Sequence, residues 1–96
     1  MDLNEIVVFA KVVETKSFTA AAQALGLPKS TVSRKVSQLE ERLDARLLQR
    51  TTRKLSLTEI GRAYYERCQR IVADIAAAEQ LVDDLQATPR GRLKVT

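Results

Sequence analysis

Ninety-six residues with 45% hydrophobic and 29% charged side chains describe one small globular domain, and the absence of histidine removes the commonest metal ligand and general base. A single cysteine, Cys68, excludes an internal disulfide and any metal site built from several thiolates. The net charge of +4 is modest but polarised: residues 29–54 hold eight bases against Glu40, Glu41 and Asp44, whereas 71–88 hold only acids, a field that suits a polyanion bound at one end.

Leu3, Ile6, Val7, Phe9, Ala10, Val12 and Val13 recur at three- and four-residue spacings, which predicts a first helix from Asp2 to Thr15. Ser17 is a good N-cap for a second helix, Phe18 to Leu25, which Gly26 ends by adopting a left-handed conformation at low cost. Ala20, Ala21, Ala22 and Ala24 let neighbouring helices approach it closely, and Pro28 starts a third helix running to Leu43. Two helices joined through Gly26-Leu27 carry the signature of a helix-turn-helix. From Leu47 to Leu57 the period becomes two, with Thr51-Thr52-Arg53 at the tip, which predicts a short two-stranded β wing.

Thr58 then caps a long helix, about Glu59 to Ala87, stopped by Pro89 and Gly91. Tyr64, Cys68, Ile71, Ile75, Ala78, Val82 and Leu85 form a seam with a 3.5-residue repeat, the pattern of a helix that packs along a partner helix. At ~1.5 Å per residue this helix reaches ~40 Å, more than so small a domain can cover, so a homodimer is expected along the seam. Residues 90–96 read as the opening of a further strand. The fold expected is mainly α, a winged helix-turn-helix of three helices and a two-stranded wing over 1–58, a dimerising linker helix over 59–87, and a hinge with the start of another domain over 88–96.

On the third helix Val32, Val36, Leu39 and Leu43 make one inward stripe, and Ser30, Ser33, Arg34, Ser37 and Glu41 face away. Small hydroxyls let a helix sink into a groove, and arginine can grip guanine O6 and N7 with two hydrogen bonds. Recognition helices place their N-terminal residues against bases, so Lys29, Ser30, Thr31, Ser33 and Arg34 are the expected base or groove contacts. Arg53 at the wing tip joins them, because narrow A·T minor grooves attract arginine. Ser17, Thr19, Lys35, Gln38, Arg50, Thr52 and Lys54 are expected at phosphates, although Ser17 serves equally as a cap.

These residues resemble the N-terminal part of the LysR-type transcriptional regulators over essentially the whole chain. The resemblance rests on Phe9, Val12-Val13-Glu14, Ser17-Phe18-Thr19-Ala20-Ala21-Ala22, Leu25, Ser33, Leu39-Glu40, Leu47-Leu48-Gln49-Arg50 and Leu57-Thr58-Glu59 with Gly61. The stretch Arg50-Thr51-Thr52-Arg53 is similar to one branch of the family, whereas Asp44 stands where glycine is usual and Leu48 where phenylalanine is common. The resemblance implies antiparallel pairing of linker helices, dimers that pair into tetramers, and binding to interrupted inverted repeats in double-stranded DNA. It also implies a small-molecule effector, sensed by a C-terminal domain that lies beyond these residues.

An enzyme is not expected: there is no phosphate-binding glycine loop, no catalytic histidine and no metal-ligand set, and no cofactor is implied. The alternative is a winged helix that binds proteins, against which stands a third helix poor in aromatic anchors. Cys68 near Arg67 admits a redox role, but its place on the apolar seam favours a small buried hydrophobe. With no basic n-region and no apolar run long enough for a bilayer, neither a secretory signal nor a membrane anchor is expected, which leaves the cytoplasm.

Overall fold

A computed structural model describes residues 3–50 and 54–87. Its elements are α1 (Leu3–Thr15), α2 (Phe18–Leu25), α3 (Lys29–Leu43), β1 (Leu48–Arg50), β2 (Leu55–Leu57) and α4 (Glu59–Ala87). The expected three helices, wing and long fourth helix are all present. The strand anticipated after residue 90 lies outside the described residues.

Each helix end has an identifiable cause. The Thr15 hydroxyl turns back onto the Lys11 carbonyl at 2.9 Å, and Lys16 leaves α1 with a positive φ of 57°. Ser17, extended, accepts the Ala20 amide at 3.0 Å and so starts α2. Gly26 ends α2 in the left-handed region, and the Leu27 amide reaches the Ala22 carbonyl at 3.0 Å to complete the turn. Pro28 lies one position outside α3 rather than in its first turn. Its extended backbone presents a carbonyl that accepts from Thr31 and Val32 at 3.0 and 3.2 Å.

Asp44 closes α3 in the left-handed region, φ 51°, a conformation in which an L side chain is crowded and glycine is not. The helix therefore ends just as it would with the glycine usual in this position. Aspartate is among the side chains that tolerate the strain best.

The core is built from Ile6, Val8, Phe9 and Val12 of α1, Ala21 and Ala22 of α2, Val32, Val36 and Leu39 of α3, Leu47, Leu48 and Cys68. Val8 was not among the apolar positions expected to pattern α1. It is buried because α1 packs against α2, α3 and α4, which widens its inward arc. The alanines of α2 permit close packing on α1 and α3. One charged side chain joins the interior: Glu5 is buried and accepts from Arg42 Nη2 at 3.0 Å and Nε at 3.2 Å, tying α1 to the end of α3.

The wing strands pair antiparallel with Leu48 opposite Leu57, Gln49 opposite Ser56 and Arg50 opposite Leu55. Their root is tied on both sides. Glu40 Oε2 of α3 accepts the amides of Leu47 and Leu48 at 2.8 and 3.1 Å. The Thr58 amide donates to the Leu47 carbonyl at 3.0 Å, its hydroxyl donates to the Arg46 carbonyl at 2.6 Å, and that same oxygen accepts from the Gly61 amide at 2.9 Å. Gly61 has to be glycine here, since a Cβ would collide with the Leu47 carbonyl.

Phe9 sits between Tyr64 and Tyr65 with ring centroids 5.9 and 6.3 Å away, which docks the first half of α4 on α1. From Ala73 to Ala87 every residue of α4 is exposed, and the described chain measures 58 × 25 × 21 Å. Its radius of gyration of 17.2 Å exceeds the roughly 13 Å of a compact chain of this length, so α4 projects well beyond the body.

Two backbone positions give a paired test in urea unfolding followed by helical circular dichroism. Asp44→Gly relieves the left-handed strain and is expected to raise stability by about 0.5–1 kcal/mol. Gly61→Ala forces α4 away from Leu47 and is expected to lower it by about 3 kcal/mol.

Candidate nucleic-acid interface

The face expected to meet a ligand is set by what α3 hides. Val32, Val36 and Leu39 are fully buried and Leu43 half-buried, so the helix is fixed by one apolar stripe. Lys29, Ser30, Arg34, Ser37 and Gln38 are exposed on the remaining arc, and Ser33 is half-buried beside them. Thr31 and Lys35 lie elsewhere on the arc: they rim a shallow groove of about 300 Å³ shared with Asn4, Val7, Val8, Leu25 and Leu27. They thus flank α3 on the side of α1 and the turn, while Lys29, Ser30, Ser33 and Arg34 lie on its outward arc.

Around this helix the other expected residues divide into three groups. Ser17 is used as the α2 cap, although its own hydroxyl hydrogen is not engaged in that bond, and Thr19 is exposed two residues on. Arg50 and Lys54 stand exposed on the wing, Arg50 with its guanidinium carbon 4.6 Å from the centroid of the Phe18 ring. Thr52 and Arg53, expected at the wing tip, lie outside the described residues.

Not every base in the stretch 29–54 belongs to the face. Arg42 turns the other way and is held by Glu5, and the acid Glu40 is occupied at the root of the wing. Neither pairing was expected from sequence. No local pattern reveals that the partners of Glu40 are the amides of Leu47 and Leu48, across a turn. The platform formed by Phe18 was missed too, because Phe18 reads as ordinary core.

The seam of α4 also divides. Tyr64 and Ile71 are half-buried against the protomer's own core, and Cys68 is 1% exposed within a single chain. Cys68, expected at a dimer interface, has no surface left to offer a second chain, because Phe9 and the two tyrosines draw the start of α4 onto α1. The exposed remainder is Ile75 at 37%, Ala78, Val82 at 51% and Leu85 at 55%, with Leu81 at 59% beside them. Burial pushes the Cys68 thiol up to about 11, away from the thiolate a redox sensor needs. Among the described residues no cluster of His, Cys, Asp and Glu could hold a metal, and no helix is long and apolar enough to cross a membrane.

Three packed helices with a polar third, a two-stranded wing and a long following helix define a winged helix-turn-helix protein. Residues 3–62 match the profile of the bacterial regulatory helix-turn-helix proteins of the lysR family, and the chain belongs to that family. It is 59% identical over 95 residues to an HTH-type transcriptional regulator of Xanthomonas campestris pv. campestris, covering 99% of this chain and 28% of the relative. It is 50% identical over 92 residues to the HTH-type transcriptional regulator CrgA of Neisseria meningitidis, covering 96% of this chain and 31% of the relative.

Among solved structures it resembles the complex of the BenM DBD with catB site 1 DNA, with a TM-score of 0.82 at 28% identity, over 94% of this chain and 100% of that one. It also resembles CrgA, with a TM-score of 0.77 at 47% identity, over 94% of this chain and 31% of that one. The chain therefore spans about a third or less of the length of the curated relatives it matches.

The thiol supplies a test of the buried seam. A raised folded pKa means that the folded state favours the neutral thiol. Its contribution is complete below the ordinary value of 9.0 and is lost as pH climbs toward about 11. Between those values the chain is expected to lose stability that Cys68→Ala does not lose, in unfolding titrations at stepped pH. Alkylation of the native protein at pH 8 should be slow and become fast on unfolding.

Proposed function

We propose that this chain is the sequence-specific DNA-binding part of a transcriptional regulator, acting through binding rather than catalysis. The observation that carries this reading is α3 itself. Its apolar stripe is buried, and the first two turns of its exposed arc offer hydroxyls and bases, with no acid before Glu40. The complexes of the BenM and CbnR DBDs with DNA, which resemble this chain over more than nine-tenths of its length, support it.

In this reading α3 enters the major groove with Lys29, Ser30, Thr31, Ser33 and Arg34 at bases or groove edges, and Arg53 enters the flanking minor groove. Ser17, Thr19, Lys35, Gln38, Arg50, Thr52 and Lys54 hold phosphates. Residues 1–58 form the reading head, 59–87 the linker helix and 88–96 a hinge.

Two protomers pair through Ile75, Ala78, Val82 and Leu85, the exposed part of the α4 seam, so that two reading heads meet the halves of an interrupted inverted repeat. Tetramers and response to a small molecule belong to the greater length of the relatives, and the place of action is the cytoplasm. Selection of bound duplexes from a randomised pool tests the reading. Recovery of an interrupted inverted repeat, bound ~10³-fold or more above random DNA, is the expected result. Failure to enrich any sequence, with binding that is also insensitive to salt, would overturn it in favour of a protein-binding winged helix.

Two variants separate reading from pairing. Arg34→Ala is expected to cost ~1–3 kcal/mol on the selected site and to relax base preference at one position of each half-site. Ile75→Asp places a carboxylate in the exposed seam and should shift light-scattering mass toward monomer, weakening binding without changing which bases are preferred.

A further inference from the structure

The guanidinium of Arg50 is held over an aromatic face, with Cζ 4.6 Å from the centroid of the Phe18 ring. Phe18 is the first residue of α2, so a cation stacked on its ring lies at the positive end of that helix. Arg50 also borders a surface depression lined by Glu40, Glu41 and Asp44, carboxylates that attract it toward the far end of α3. Phe18 is partly buried and packed against the core, which limits the motion of its ring.

The backbone beneath Arg50 is fixed as well. β1 is anchored at its root by Glu40 through the amides of Leu47 and Leu48, and Arg50 is paired with Leu55 across the wing. What remains loose is the long side chain, and the aromatic face removes that freedom.

We infer that Phe18 is a positioning residue for DNA binding, whose ring pre-sets the Arg50 guanidinium beside the first turn of α2 to meet one phosphate of the backbone. The inference rests on the DNA-binding reading and adds to it a residue that touches no DNA. The physics is preorganisation: a rotamer-rich cation already in place loses less freedom when the phosphate arrives. The phosphate in turn neutralises a cation and a helix end that otherwise repel each other. An arginine stacks in this way with its planar guanidinium parallel to the ring face, which a lysine does not reproduce.

The test exploits the fact that Phe18→Leu changes no charge. Affinity for a mixed-sequence duplex of about 30 base pairs is measured at several salt concentrations, because phosphate contacts do not depend on sequence. Arg50→Met is expected to lower the slope of log affinity against log salt by about 0.9 for each protomer bound, the value of one phosphate contact.

Phe18→Leu leaves the Arg50 charge able to reach its phosphate, so it should weaken binding about three- to tenfold with little change of slope, while Phe18→Tyr, which keeps the ring, should match the unaltered chain. Adding Phe18→Leu to Arg50→Met should cost nothing further. Thermal melts identify any variant that loses its fold. If Phe18→Leu does, Arg50→Lys carries the test from the other side, with its charge kept and about threefold weaker binding expected.

A purely structural Phe18 would add its loss to that of Arg50→Met, and that result overturns the inference. Binding by the unaltered chain that ignores salt would instead overturn the DNA reading, and the positioning role with it.

Discussion

The backbone of Leu47 joins three elements at one point. Its amide is held by Glu40 of α3, its carbonyl takes the amide of Thr58 at the head of α4, and its side chain is fully buried as β1 begins. Gly61 lets the first turn of α4 press against that carbonyl. The angle between α3 and the wing and the direction in which α4 leaves the body therefore share one anchor. A carboxylate bridging two adjacent amides is a charge-assisted contact, stronger than a neutral hydrogen bond, and it resists rotation because two donors fix one oxygen. Any distortion at Leu47 moves the wing and the long helix together.

That shared anchor explains how work divides along α4. Its first half packs on the protomer through Tyr64, Cys68 and Ile71, with Cys68 fully buried and Phe9 between the two tyrosines. The second half has no support from its own chain, yet carries Ile75, Leu81, Val82 and Leu85 exposed. An unsupported helix of about four turns is marginal in water, so burial of that stripe against a second helix would stabilise both partners. On the proposed reading, the separation of two DNA-reading heads is set by where along α4 the intramolecular contacts stop and the intermolecular ones start. That boundary falls between Ile71 and Ile75.

Much of the fold was legible because its signals are local. Ser17 and Gly26 bracket α2 through hydrogen bonds made within four residues, and period two at Leu55-Ser56-Leu57 marks a strand wherever it occurs. The buried stripe of α3 followed from helical geometry alone. What escaped was contact between distant residues. The pairs Glu5–Arg42, Glu40–Leu47 and Phe18–Arg50 join elements whose relative placement no periodicity encodes. The heptad seam misled in its first half for the same reason, since a 3.5-residue repeat says that a helix is covered along one side but not by which chain. Val8 was passed over because a helix packed by three neighbours has a wider buried arc than a single stripe suggests.

These long-range pairs also change the electrostatic account. Counting charges from 29 to 54 gives a strongly basic middle, but Arg42 is turned onto Glu5 and leaves the face that α3 and the wing present. Apart from Arg42, the exposed bases among the described residues of α3 and the wing are Lys29, Arg34, Arg50 and Lys54, with Lys35 half-buried beside them. Each base that neutralises a phosphate adds about 0.9 to the salt exponent. A second head at fixed spacing turns the second encounter into an intramolecular one and multiplies the grip of the first. On the proposed reading, the placement of each phosphate contact matters as well as their number. This favours a design in which a wing cation is held on an aromatic ring and the recognition helix on one buried stripe.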